Sequence, residues 1–238
     1  MLVLLPTFIQ LKDNMKTSSL KVEFDSFFAS MIQHTDLLVK IIKTIEIKVP
    51  PREEKEILTK LLQAEKKQIH EAFVLKICAT WEILAENVFV ECLLRDTSKY
   101  EERKGITLPK KLTKDICKGL ISCLRHFDFG NMASIKGQAS KFLADRYNPF
   151  KEVPPDVSRK INEFYLIRNY IAHRSDTAKQ ALKRMYKNYK MRFRLPGNFL
   201  FDTVQFVEFG ERGKELRFAN YSKAFEKAAD KMATFLGI

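Results

Sequence analysis

The chain has 238 residues and a net charge of +13, with 45% hydrophobic residues, 30% charged residues and only 8 Gly and 8 Pro. This excludes a disulfide-stabilised miniprotein, a disordered chain and a collagen-like chain, and the scarcity of turn formers favours long helices over an all-β sandwich. The excess of 42 Lys and Arg over 29 Asp and Glu indicates either a polyanionic partner or generously solvated helix surfaces.

The N-terminal segment MLVLLPTFIQL is apolar but short, contains Pro6 and lacks the basic flank of a signal peptide. We assign residues 1–16 to an arm, either a loose extension or a stretch ahead of an alternative start at Met15. Residues 17–238 are assigned to a single helical domain. No later stretch approaches the roughly eighteen apolar residues that cross a bilayer. A cytoplasmic protein that does not contact a membrane is therefore predicted.

Two long amphipathic helices open the predicted domain. Residues 17–48 carry apolar side chains at three- and four-residue intervals, and Pro50-Pro51 ends this helix. The next periodic stretch, 53–96, forms either one helix or two. Its middle, AFVLKICATWEILAENVFVECL, is apolar on most of its circumference, which is typical of a central core helix.

The middle of the chain is predicted to hold shorter elements. Residues 99–109 are charged, include Gly105 and Pro109, and are predicted to form a loop. Short helices are predicted over 113–125 and 134–147, the second ending before Asn148-Pro149.

The last third of the chain begins with a helix that Asp156 or Ser158 can cap. It reaches Tyr189 unless Ser175-Asp176 breaks it. Alternating polar and apolar residues around Pro196-Gly197-Asn198 then predict a small β-hairpin near residues 191–209. A final helix is predicted over 221–236. The fold class is mainly all-α, with this hairpin as the only sheet.

Cysteine and histidine spacing predicts no metal site. The cysteines lie in helical segments without a CxxC pair, so buried thiols in a reducing compartment are expected for Cys78, Cys92, Cys117 and Cys123. Three histidines, His34, His70 and His126, have no partner at metal-ligand spacing, and we interpret them as structural. No metal and no cofactor are predicted.

The segment YLIRNYIAHR places an arginine, an adjacent amide and a histidine on one predicted helix, namely Arg168, Asn169 and His173. Five residues along an α-helix separate Arg168 from His173 by about 7.5 Å in rise and about 140° in azimuth. One copy therefore spreads the two side chains apart. A two-fold dimer in which these helices cross would bring two Arg and two His into one cleft.

This segment resembles the signature of the HEPN superfamily of helical ribonucleases, in which an Arg with a polar residue after it precedes a His on one helix. Ala172 before the His, Arg174 after it and the upstream helix around Trp81 and Glu82 make the chain most similar to the RiboL-PSP-HEPN group. The resemblance spans most of the chain. It implies an up-and-down HEPN-like bundle, a homodimer with a composite active site, and a metal-independent endoribonuclease that leaves 2′,3′-cyclic phosphate ends.

The residue types suit such a reaction. His173 can take the proton of a ribose 2′-OH or protonate the leaving 5′-oxygen, and Arg168 can fork onto the nonbridging phosphate oxygens. Asn169 can orient a side chain or the phosphate through its amide. Glu82 is a supporting candidate that pairs either with Arg168 or with a basic residue across the dimer. From the residues alone, an exposed stripe on a core helix, with His173 bonded to a carbonyl, is the alternative.

Between Asp176 and Asp202 the chain has no acidic residue, and its Lys and Arg residues alternate with aromatic residues. We interpret the charges as contacts to RNA phosphates and the aromatic residues as core. The predicted RNA-binding residues are Arg174, Lys179, Lys183, Arg184, Lys187 and Lys190. The family resemblance also implies a toxin or defence effector, with a neutralising antitoxin-type partner. The alternatives are a catalytically inactive RNA- or nucleotide-binding module and a protein-interaction bundle.

Overall fold

Helices dominate the described part of the chain, where the sheet is a single two-stranded antiparallel hairpin, which confirms the predicted fold class. The computed structural model describes residues 10–47, 55–122, 129–208 and 211–238, with side chains described outside 10–19, 42–63 and 206–212. The predictions for Pro50-Pro51, Cys123 and His126 lie outside the described residues. Within the described residues, no helix is both long and apolar enough to span a bilayer.

Helices α1 (Gln10–Ile47) and α2 (Lys55–Arg95) pack against each other along their length. Helix α1 starts seven residues before the predicted position, so residues 10–16 of the predicted arm continue the helix. Helix α2 is one continuous helix, which decides between the two alternatives for this stretch. The apolar spacing explains the packing, because the residues that recur along it are buried in the core, among them Phe24, Phe27 and Met31 of α1 and Trp81 and Val88 of α2.

The prediction of a loop over 99–109 is wrong for its first part, which forms helix α3 (Ser98–Lys104). Tyr100 anchors this charged helix because its ring is buried, and Gly105 ends it in the left-handed conformation, with φ of 64°. Sequence periodicity could not detect so short a helix with one apolar residue.

Two further short helices follow close to their predicted positions. Helix α4 spans Lys114–Ser122 and helix α5 spans Met132–Phe142. Helix α5 ends before the predicted residue 147, and Asp145–Tyr147 forms a 3-10 turn instead. Asn131 caps α5 by accepting a hydrogen bond from the Ser134 backbone N–H at 2.8 Å.

The motif lies on helix α6 (Pro155–His173), which is separate from helix α7 (Asp176–Asn188). Arg174 adopts the left-handed conformation, with φ of 46°, and ends α6. Ser175 then caps α7 by accepting a hydrogen bond from the Ala178 backbone N–H at 3.2 Å. The predicted helix therefore breaks at Ser175-Asp176 and does not continue unbroken to Tyr189.

The hairpin exists but is shifted towards the C-terminus, with only its first strand inside the predicted residues 191–209. Residues Pro196–Leu200 form a short helix, α8, and the strands are β1 (Thr203–Glu208) and β2 (Glu211–Leu216). The strands pair antiparallel from Thr203 opposite Leu216 to Glu208 opposite Glu211. Helix α9 (Arg217–Leu236) follows immediately, four residues before its predicted start.

The Pro196-Gly197 pair begins a helix that contacts α2 and does not form the predicted turn. Proline suits the first turn of a helix, where its missing N–H costs no hydrogen bond. A Cβ on Gly197 would lie 2.7 Å from the carbonyl oxygen of Lys67, so only glycine permits this approach of α8 to α2. The Gly197 N–H also donates to Glu71 Oε1 at 3.0 Å.

Helix α6 is held in the core by aromatic contacts with α9. The ring of Phe164 lies 5.3 Å from that of Phe225, and Phe225 in turn lies 5.6 Å from Trp81 on α2. All three side chains are fully buried. These contacts fix which side of the motif helix faces the core and which side faces outward.

Candidate functional site

The motif residues lie on the outward side of α6. Arg168 and Asn169 are half-buried, whereas Ala172 and His173 are exposed. The neighbouring Ile167 and Tyr170 are buried, in keeping with helical spacing. The predicted site therefore faces a surface that a substrate can reach.

The Arg168 guanidinium is held by two neighbours. Its Nη1 donates a hydrogen bond to Asn169 Oδ1 at 3.1 Å, and its Nη2 lies 4.0 Å from Glu82 Oε1. The Arg168 side chain remains 32% exposed. The structure thus brings Arg168, Asn169 and Glu82 together, and it leaves part of the guanidinium open to an anion.

The buried side chain of Tyr165 holds the Glu82 carboxylate in place. Its hydroxyl donates to Glu82 Oε1 at 3.1 Å and lies 3.2 Å from the carbonyl oxygen of Cys78. Burial, followed by the neighbouring Cys78 and Glu82, raises the pKa of Tyr165, so the hydroxyl keeps its proton and remains a donor. The sequence did not reveal this role of Tyr165, because its partner lies 83 positions away.

His173 is the last residue of α6, and the chain turns directly after it. Its ring makes no hydrogen bond with any described residue, so the alternative in which a carbonyl satisfies it is not seen. Arg174 Nη2 forms an ion pair with Glu71 Oε2 at 3.1 Å, although its side chain remains largely exposed. His173 is therefore exposed and bonds no described residue, while Arg174 is anchored to α2.

The other predicted RNA-binding residues lie on or just after α7. The ammonium groups of Lys179 and Lys183 lie 5.7 and 5.8 Å from the ring centre of Phe193. Three more are exposed: Arg184, Lys187 and Lys190. The interpretation of the aromatic residues as core is confirmed for Tyr186 and Phe199, which are fully buried with ring centres 4.5 Å apart.

An exposed apolar strip lies beside the motif on α2. We call Leu75, Ala79 and Ile83 the apolar strip; they are exposed and four residues apart, so they share one face of the helix. Ile83 is 61% exposed although it follows Glu82, the partner of Arg168. The strip was not found from the sequence, because apolar residues on a core helix are normally assigned to the interior.

The three cysteines that the structure describes are not candidates for catalysis. Cys78, Cys92 and Cys117 are buried and unpaired, and burial raises the pKa of Cys92 to about 12. His34 and His70 are buried, as expected for structural residues. No group of three or more His, Cys, Asp or Glu able to hold a metal occurs among the residues that the structure describes.

Comparisons with protein-family models, with curated proteins and with solved structures find no match to this chain. The resemblance to HEPN ribonucleases therefore stays a prediction. The function proposed below rests on that resemblance together with the geometry of Arg168, His173 and their neighbours.

Glu82→Gln should lower the RNA-cleavage rate about fivefold to tenfold, because it removes the charge that positions Arg168. The amide oxygen of Gln still accepts the Tyr165 hydroxyl, so the thermal midpoint should change little. We expect the loss in kcat rather than in KM, with partial recovery in Glu82→Asp. Glu86→Gln, one helical turn further on, is the matched control. An equal loss in both glutamine variants would contradict a positioning role for Glu82.

Proposed function

We propose that this protein is a metal-independent endoribonuclease of HEPN type. One observation carries the proposal: Arg168 is held at the surface by Glu82 and Asn169, on the same helix as an exposed His173 that bonds no described residue. The first group is suited to bind a phosphate and the second to transfer a proton. Glu82 and Asn169 hold Arg168 in place, and they cover neither its guanidinium nor the His173 ring completely.

The proposed reaction uses the ribose 2′-OH as the nucleophile. The O2′–P bond forms as the P–O5′ bond breaks, which leaves a 2′,3′-cyclic phosphate and a 5′-hydroxyl. One His173 imidazole accepts the 2′ proton, and a protonated second imidazole supplies the proton to the leaving O5′. Arg168 binds the nonbridging oxygens and offsets the charge that develops on them. DNA lacks the 2′-OH and should not be cleaved.

Two imidazoles require two copies of the chain. On one helix Arg168 and His173 are about 7.5 Å apart in rise and point about 140° apart, so one copy does not focus them on one phosphate. The apolar strip supports a homodimer, because it exposes apolar surface beside Arg168 that a second copy can bury. We infer that the composite site forms where the two motif helices meet.

Ile83→Glu should weaken this dimer about thirtyfold, because it places a charge at the large apolar residue that ends the strip nearest Glu82. Sedimentation velocity at increasing protein concentration measures the shift from dimer to monomer, and RNA cleavage should fall with it. Ile32→Glu is the matched control, because Ile32 on α1 is 62% exposed and lies outside the strip. A monomeric wild-type protein, or an Ile83→Glu variant that dimerises normally, would contradict the composite site.

RNA affinity is assigned to the cations that follow the motif. Arg184, Lys187 and Lys190 are exposed along a stretch without acidic residues, close in the chain to His173. Such contacts release counterions, so affinity should fall steeply with salt. The same observation favours the second candidate function, a catalytically inactive RNA-binding module.

Incubation of the purified protein with a mixed RNA pool in EDTA tests the proposal, with identification of the fragment ends. Cleavage with cyclic phosphate ends supports the endoribonuclease, and DNA of matching sequence should stay intact. Salt-dependent RNA binding without cleavage would favour the binding module. Absence of both would favour a protein-interaction bundle. We also propose a cytoplasmic location. By the HEPN resemblance, we propose that the protein is a toxin or defence effector that an antitoxin-type partner controls.

A further inference from the structure

A groove lies where α5, the motif helix α6 and α7 meet, and it has a volume of about 710 Å³. The first turn of α5 forms one of its walls. We call it the α6–α7 groove and define it by six residues of the other two walls: Asn162, Leu166, Ala181, Arg184, Met185 and Asn188. Its volume lies within the range of sites that hold a small organic molecule.

The groove continues the surface that carries the motif. Four residues of α6 share one face of the helix, because they follow one another at intervals of four, three and four positions: Asn162, Leu166, Asn169 and His173. None of the four is buried. Along the helix axis, Leu166 lies about 4.5 Å from Asn169 and about 10.5 Å from His173. A molecule bound at the motif can therefore extend into the groove.

The inner surface of the groove is apolar. Leu166 and Ala181 are half-buried, and Met185, which lines the same groove, is buried. Aliphatic and thioether groups make favourable contacts with aromatic rings. A hydrated ion would lose water on such a surface without gaining a partner. The surface therefore suits the face of a flat ring better than it suits an ion.

Most charged side chains that line the groove are already engaged. Glu163 accepts hydrogen bonds from two tyrosine hydroxyls at 2.6 and 2.9 Å, and Arg159 lies 3.7 Å from the same carboxylate. The Lys136 ammonium donates to the carbonyl oxygen of Val153. Among the described lining residues, this leaves Arg184 as the charged group without a partner, which does not indicate a site for phosphate alone.

Three polar side chains of the groove keep hydrogen-bonding capacity. Asn162 Oδ1 accepts a hydrogen bond from the Ala133 N–H at 3.4 Å, but Asn162 Nδ2 bonds no described residue. Arg184 and Asn188 are exposed, and neither side chain bonds a described residue. All three supply N–H donors, and Asn188 also supplies an amide oxygen. Amide and guanidinium groups are the side-chain groups that pair with the edges of nucleobases.

We propose that the α6–α7 groove binds an unpaired nucleobase. The apolar surface contacts the face of the base, and Asn162, Arg184 and Asn188 bind its edge. Sequence-specific recognition of RNA commonly uses single-stranded bases that are splayed out in this manner. The base can belong to an RNA strand or to a free nucleotide. The RNA source rests on the proposed function, whereas binding of a nucleobase does not.

Titration with single-stranded RNA of about twelve nucleotides tests the groove, in a His173→Ala background that should leave the RNA intact. Asn162→Ala/Asn188→Ala should weaken binding about tenfold, because it removes two hydrogen bonds to the base. This variant removes no charge, so the loss should be the same at low and at high salt. The matched control, Gln33→Ala/Gln180→Ala, truncates two exposed amides outside the groove and should retain full affinity.

Two results of this titration would overturn the proposal. An equal loss of affinity in both double variants would show that the groove amides have no special role. A loss that disappears at high salt would show an electrostatic effect and not recognition of a base. Sedimentation velocity of the groove variant is the accompanying check. A shift from dimer to monomer there would assign the groove to the contact between two copies, against the proposal.

A second titration separates the base from the phosphate and identifies its source. It compares the four ribonucleoside 5′-monophosphates with ribose 5-phosphate, which has the same phosphate and sugar but no base. At least one nucleotide should bind about fivefold more tightly than ribose 5-phosphate, and Asn162→Ala/Asn188→Ala should abolish the difference. No preference for any nucleotide over ribose 5-phosphate would overturn the proposal.

The two titrations together distinguish the sources. Selective loss of RNA affinity in the groove variant supports a base of an RNA strand. Loss of nucleotide affinity with unchanged RNA affinity supports a site for free nucleotides. Neither readout depends on cleavage, so failure of the nuclease proposal would be seen separately.

Discussion

His173→Ala should lower the rate of RNA cleavage about 10³-fold, because proton transfer by one positioned side chain contributes about 10² to 10⁴. Its ring is exposed and bonds no described residue, so the free energy of unfolding should change by less than about 0.5 kcal/mol. RNA affinity should stay close to that of the wild type. Single-turnover cleavage in EDTA, with binding measured in parallel, checks all three expectations.

Gln180→Ala is a suitable control for this variant, because Gln180 is an exposed residue on α7 near the motif. It should cleave RNA at the wild-type rate. Undiminished cleavage by His173→Ala would exclude the imidazole from the chemistry. A loss of RNA affinity that matched the loss of cleavage would assign His173 to binding instead.

Arg168→Ala should lower the cleavage rate about 10² to 10³-fold, because it removes a donor aimed at the transition-state charge. Arg168→Lys should recover only part of this loss, since an ammonium cannot reproduce the guanidinium fork. Neither variant alone distinguishes a site within one chain from a site shared by two. Mixing Arg168→Ala with His173→Ala makes that distinction.

Mixed dimers of these two variants contain one intact Arg168 and one intact His173. If the site is composite, co-refolded mixtures should cleave RNA faster than either variant alone, because a mixed dimer keeps one Arg168 and one His173 at the shared site. The rate should stay well below that of the wild type, because one of the two imidazoles is missing. The same mixture carrying Ile83→Glu in both chains is the control and should show no gain over the single variants. Absence of recovery in mixtures shown to contain mixed dimers would contradict a site built from both chains.

The sequence was sufficient to predict the elements whose apolar residues repeat over many turns. Helices α1, α2 and α6 overlap their predicted ranges, although α1 starts seven residues earlier and α6 ends at the alternative break, because a long periodic stretch defines a buried face without reference to its neighbours. Helix α3 and the position of the hairpin could not be predicted in this way. Both depend on tertiary contacts, such as the close approach of Gly197 to Lys67.

The candidate site, like the fold, could be predicted only in part from the sequence. Arg168, Asn169 and His173 could be selected from the sequence because they are neighbours on one helix. The contacts of Tyr165 with Glu82 and of Arg174 with Glu71 join α6 to α2 across 83 and 103 positions. No local sequence pattern indicates a contact between residues so far apart in the chain. Neither pairing was assigned in advance, although Glu82 was a supporting candidate and Arg174 a predicted RNA-binding residue.

The packing of α6 against α9 has a consequence for synthesis on the ribosome. Phe164 on the motif helix is covered by Phe225 of α9, which emerges from the ribosome some sixty residues later in the chain. Translation proceeds at about 5 to 20 residues per second, so the face of α6 that carries Phe164 lacks its packing partner for several seconds. A nascent chain therefore carries the whole motif before it can complete the core behind it, so the fully packed fold is delayed until α9 has been made.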